Sequence, residues 1–83
     1  MSDLLNLPNV GKVTEKLLIQ SGINTEQQLR EIGAEEAFFK IRMIDPTACL
    51  HTLYGIQGAI DGVKDNYLTK ETKENLKIFY KTL

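Results

Sequence analysis

Hydrophobic residues in this chain recur three and four apart, the spacing that lines one face of a helix, and no stretch of useful length alternates like a half-buried strand. The densest run is PTACLHTLYGIQGAIDG, from Pro46 to Gly62. Laid out at about 100° per residue, Ala48, Cys49, Thr52, Leu53, Ile56, Ala59, Ile60 and Val63 fill one wide arc. Leu50 and Tyr54 fall outside it beside Gln57 and Asp61, and Gly55, Gly58 and Gly62 share a third face with His51. A helix apolar over most of its circumference belongs in the middle of a fold. Each glycine inside it costs roughly 1 kcal/mol relative to alanine, so a glycine face predicts the close approach of another backbone. Residues 46–62 are therefore expected to be the hub of a small all-α domain, with Asp45 as N-cap and Pro46 at the first helical position.

The remaining segments read as helices around that hub. Asp3 to Leu7 suffices for one or two turns before Pro8-Asn9 breaks it. From Gly11, the residues Val10, Val13, Leu17 and Leu18 recur at helical spacing with Lys12, Glu15 and Lys16 opposite, and Ser21-Gly22 closes the helix, leaving Ile23 to fold back on its last turn. Thr25 with Gln28 three residues on forms a capping box for a short helix carrying Leu29 and Ile32 inward and ending at Gly33. The next helix has Glu35 and Glu36 where the macrodipole favours acids, Ala34, Ala37, Phe38, Ile41 and Ile44 on its inner side, and Lys40 and Arg42 on its wet one. Beyond the polar link Lys64-Asp65-Asn66, Tyr67 and Leu68 serve as an anchor. Thr69 caps a last helix with Leu76, Phe79, Tyr80 and Leu83 on one face and Lys70, Lys73, Glu74 and Lys77 on the other. A faint repeat sets Leu7-x-x-Val10-Gly11 against Leu29-x-x-Ile32-Gly33, with Ile19 falling on Ile41.

Composition narrows the function. Eighty-three residues make one domain. Ten basic residues against eleven acidic ones create no overall field toward nucleic acid or anionic lipid, so any such partner has to be gripped locally. The lone Cys49 has no intrachain disulfide partner, which fits a reducing compartment. Met1-Ser2-Asp3 opens no basic leader and no apolar run reaches the ~20 residues that span a bilayer, so a cytoplasmic protein without membrane contact is expected.

The stretch Leu5-Asn6-Leu7-Pro8-Asn9-Val10-Gly11-Lys12 carries the most chemistry. It resembles a helix-hairpin-helix turn, in which a Pro-Gly-hydrophobic-Gly bend leaves main-chain N–H groups pointing outward together at a helix start. Asn9 stands where the first glycine of that pattern would be and is a residue that tolerates a left-handed backbone. Val10 is expected to plug the core, Gly11 to permit close approach, and Lys12 and Lys16, one turn apart, to add charge for a phosphate. The same five residues also serve as a plain bend between two helices with no ligand. Nothing in them reads bases, so nucleic acid held here is held by its backbone, with strong salt dependence. Asp3 and Glu15 offset the two lysines. His51 and Cys49, two apart on a helix, point in different directions and make neither a metal pair nor a nucleophile with its base. Glu35-Glu36 and Glu71-Glu74 sit at helix starts for structural reasons. No cofactor or metal is implied.

Taken together, four stretches in order resemble the C-terminal domain of the TfoX/Sxy family, bacterial regulators of natural competence for DNA uptake. They are Leu7-Pro8-Asn9-Val10-Gly11 with a helix ending in Ser21-Gly22-Ile23; Thr25-x-x-x-Leu29-Arg30-x-x-Gly33-Ala34-x-x-Ala37; Cys49-Leu50-x-x-Leu53-Tyr54-x-x-x-Gly58-Ala59-x-x-Gly62; and Leu68 with the closing amphipathic helix. The resemblance implies a bundle of about five short helices with a helix-hairpin-helix or SAM-like core, a role tied to transcriptional control of competence, and no catalysis. The family's regulators carry a further domain ahead of this one, whereas here the chain starts at the hairpin, so a free-standing module is expected.

Two functional classes follow. One is a DNA-associated module touching phosphates through Asn9, Val10, Gly11, Lys12 and Lys16. The other is a protein-interaction or self-associating module, docking onto a larger regulator through Leu50, Tyr54 or the glycine face at Gly58. An enzyme would need paired titratable groups in a pocket, which a small helical chain with one histidine scarcely offers.

Overall fold

The computed structural model describes residues 3–83 and is all-α. Met1 and Ser2, read above for the absence of a basic leader, lie outside the described residues. A 3-10 helix over Asp3–Asn6 leads into α1 (Lys12–Gln20), α2 (Glu26–Ile32), α3 (Ala34–Ile44) and α4 (Leu50–Asp61); a second 3-10 helix at Asp65–Tyr67 precedes α5 (Lys70–Lys81).

The helix ends follow local chemistry. At the close of α1, Gly22 takes φ +86°. Its N–H bonds the Ile19 carbonyl, and the Ile23 N–H bonds the Leu18 carbonyl at 2.9 Å. This crossed pair buries Ile23 against the last turn. Thr25 Oγ1 accepts the Gln28 N–H at 3.1 Å, and Gln28 returns its side-chain oxygen to the Asn24 N–H at 2.7 Å, one residue before the usual capping-box position. Asp3 supplies a second cap to α2, accepting the Glu26 N–H at 2.9 Å. Gly33, at φ +85°, turns α2 directly into α3. The faint repeat does not extend to conformation, because its other glycine, Gly11, has φ −96°.

Phe38, Leu4, Leu18, Leu29, Ile41, Leu53 and Ile56 are fully enclosed and join one continuous core. α4 packs against α2, α3, α5 and the second 3-10 helix, while α3 packs against α1, α2 and α4. The hub is thus a pair: α4 holds the middle position expected of it, and α3 contributes Phe38, the largest buried side chain.

Three expectations are corrected. The hub helix starts at Leu50, not Pro46. Asp45 turns its carboxylate onto the Thr47 N–H and hydroxyl, closing a local turn that competes with helix capping. Cys49 becomes the N-cap and is exposed instead of lying on the buried arc. Finally, Val13 and Ile44, assigned inward by spacing, are 75% and 44% exposed. Each stands at a helix end, where the helical period continues but no neighbouring element remains to cover it.

Candidate functional site

The predicted hairpin divides into two groups of residues with different tasks. Asn9 has φ +66°, the left-handed backbone expected of it, but its side chain is spent within the fold. Its amide nitrogen donates to the Gly55 carbonyl at 3.3 Å and the Val63 carbonyl at 3.0 Å, and its oxygen accepts the Asp65 N–H at 3.1 Å. It fastens the bend to the end of α4 with both N–H donors of its side-chain amide, so that side chain has no donor left for a phosphate. Val10 is buried, and its N–H is directed at the Leu7 carbonyl, 3.4 Å away.

Gly11, Lys12 and Lys16 are the exposed remainder. Gly11 is the N-cap of α1, an extended residue with no side-chain cap over the amides that follow. A Cβ placed on it would meet nothing within 4 Å, so the space beside Gly11 itself is open. The first N–H groups of any helix lack intrahelical partners and sit at the positive end of its dipole. Glu15 lies in the same first turn and lowers the local positive charge.

The glycine face of α4 is where the expected close approach occurs. Gly58 is buried, with the Asn9 amide and the Val63 carbonyl pressed against it, and Gly55 faces Asn9 as well. Gly58 is covered by the chain itself, which removes it as a partner-contact candidate. Leu50 and Tyr54 are half-buried and packed on the core. Tyr54 donates its hydroxyl to the Lys73 carbonyl at 3.4 Å beneath the Lys73 ammonium, which lies 6.0 Å from the ring centroid. Tyr54 therefore ties α4 to α5.

Sequence reasoning missed the convergence of Asn9, His51 and Asp65. His51 Nε2 lies 3.3 Å from Asp65 Oδ2, beside the Asn9 amide, and together they wall a polar hollow of about 290 Å³. The usable signal was the pairing of a left-handed Asn with two glycines one turn apart on α4. Among the described residues no three His, Cys, Asp or Glu side chains come together as a metal would need.

The Cys49 thiol is displaced below its ordinary value. The Thr52 N–H at the start of α4 stabilises the thiolate and lowers the thiol pKa, against the opposing effect of burial. The folded state therefore favours the charged form. Stability from this group grows as pH rises through the lowered folded value and is lost as pH falls below it. Alkylation by iodoacetamide is expected to reach half its maximal rate at a lower pH in the folded protein than in guanidinium. Identical profiles in the two conditions would refute this.

Solved structures place the fold among proteins of no stated role. One, an uncharacterized protein from Listeria monocytogenes in a triclinic crystal form, is 39% identical and superposes with a TM-score of 0.94 over 95% of this chain and 90% of that one. A tetragonal form of a Listeria monocytogenes protein of unknown function is likewise 39% identical, with a TM-score of 0.93 over 95% of this chain and 96% of that one. Nothing among curated proteins matches the chain. The family model described as TfoX C-terminal domain spans residues 1–80, and over that length the chain belongs to this family.

Proposed function

We propose that the chain is a non-enzymatic binding module that holds nucleic-acid phosphates loosely at the start of α1. The observation that carries the reading is the glycine-led, uncapped first turn of α1 with Lys12 and Lys16 exposed one turn apart. A phosphate oxygen would accept main-chain N–H groups of that turn while the two ammonium groups flank it. Asn9 and Val10 act indirectly, by holding the bend in shape. Family membership supports a regulatory role connected with DNA uptake, carried out in the cytoplasm; no helix among the described residues is long and apolar enough to cross a membrane.

Titration of the isotope-labelled protein with a short DNA duplex at low salt tests this. Amide shifts are expected at residues 11–16, with affinity weaker than the ~10⁻⁴ M upper end of non-specific binding and a salt slope of about −1.8 for two neutralised phosphates. The double variant Lys12→Glu, Lys16→Glu is expected to abolish binding. Shifts confined to other helices, or binding indifferent to salt, would rule the site out.

A further inference from the structure

The solvent face of α3 carries a pattern that the fold does not use. Ala34, Ala37, Phe38 and Ile41 enter the core, so the opposite side should be polar. Its centre is instead Phe39, 46% exposed, and Met43, 72% exposed, one turn apart. They share an apolar hollow of about 190 Å³ with Leu83, itself 44% exposed, and with Arg42. Phe39 also borders a second depression of about 530 Å³, which Ile32, Phe79, Glu35 and Glu36 help to line. One aromatic ridge thus stands between two hollows, the shape in which helix surfaces interlock.

The charges on this face are ordered. Glu35 and Glu36 occupy its first turn and Lys40 and Arg42 its second half. A helix dipole alone favours acids first and bases last, but it gives no reason for the apolar centre between them. Among the described residues no ion pair involves Glu35, Glu36, Lys40 or Arg42, so neither end of α3 is neutralised within the chain. Arg42 is held in place with its guanidinium carbon 5.1 Å from the centroid of the Tyr80 ring, and its Nη1 is enclosed without a hydrogen-bond acceptor.

We propose that this face is a self-docking surface on which α3 of a second copy lies antiparallel about a two-fold axis. An acidic partner would meet Glu35 and Glu36, and a basic one Lys40 and Arg42. A partner that presents the same order reversed matches both ends, and a second copy does so by symmetry. Glu36 of each copy then faces Arg42 of the other, while each Phe39 enters a hollow beside the other's. The face is one helix about 16 Å long, well short of the roughly 800 Å² per partner of a stable complex. The dimer is therefore weak and concentration-dependent.

Sedimentation equilibrium of the intact chain across a wide concentration range tests it, with circular dichroism as the control for folding. Reversible dimerisation that weakens with salt is expected, and Phe39→Asp, outside the core, is expected to leave a folded monomer. Glu36→Arg alone and Arg42→Glu alone each set like charges opposite one another and are expected to lose about tenfold or more in association. Mixed together they restore both pairs, and association should return. A chain monomeric at millimolar concentration overturns the proposal and leaves the face to a different protein. A dimer unchanged by Phe39→Asp, or a mixture of the charge variants that fails to re-associate, overturns it as well.

Discussion

Gly58→Ala is expected to destabilise the domain by about 2 kcal/mol, although alanine is the better helix former by roughly 1 kcal/mol. A Cβ at this position would lie 2.5 Å from the Asn9 amide nitrogen and 2.7 Å from the Val63 carbonyl oxygen. Neither neighbour yields easily. The carbonyl belongs to the backbone just past α4, and the amide is held by three hydrogen bonds. Overpacking of this kind costs typically 1–3 kcal/mol, and expelling Asn9 adds about 1 kcal/mol for each bond lost, which together exceed the gain in helix propensity. Urea denaturation should show a lower midpoint at unchanged slope, and thermal unfolding a fall of roughly 10 °C. An unchanged or raised midpoint would show that the hairpin does not press on α4.

Asn9→Ala is expected to lose about 3 kcal/mol, a large part of the roughly 4–12 kcal/mol that a domain of this length has in total. Two effects add. The carbonyls of Gly55 and Val63 and the N–H of Asp65 lose their partner, at about 1 kcal/mol each, less whatever water restores at this accessible site. Alanine at φ +66° also carries the left-handed strain that asparagine tolerates, roughly 1 kcal/mol or more. Asn9→Gly keeps the backbone relaxed and removes only the bonds, so it should recover about 1 kcal/mol of that loss. It also deletes the closest atom to a Gly58 side chain, so Asn9→Gly combined with Gly58→Ala should cost less than the sum of the two single changes. Strict additivity would mean the two residues do not interact.

The parts of this fold legible in the chain are those decided within a few residues. Thr25 with Gln28, Gly22 with Ile23, and Gly33 between α2 and α3 each set a helix end through bonds spanning five residues or fewer, and all three stand where the pattern placed them. The start of α4 was misread because Asp45-Pro46 satisfies the rule for a helix start, yet the Asp45 carboxylate finds Thr47 first, and the true N-cap, Cys49, is not among the residue types that announce one. Val13 and Ile44 show the limit of periodicity, which reports the angle of a side chain around its helix but not whether anything packs there. In the hairpin, Gly11, Lys12 and Lys16 were readable as an exposed helix start. The task of Asn9 was not, because its partners lie 46 to 56 residues further on.

That same amide makes the domain indivisible. The first bend is sewn to the residues that follow α4, Asp3 caps α2, and α4 lies lodged among helices from both sides of the chain. No cut would yield two self-sufficient pieces. A fragment ending before α4 would lack the wall on which the opening bend rests, and one beginning at α4 would expose a groove shaped for an asparagine it no longer owns.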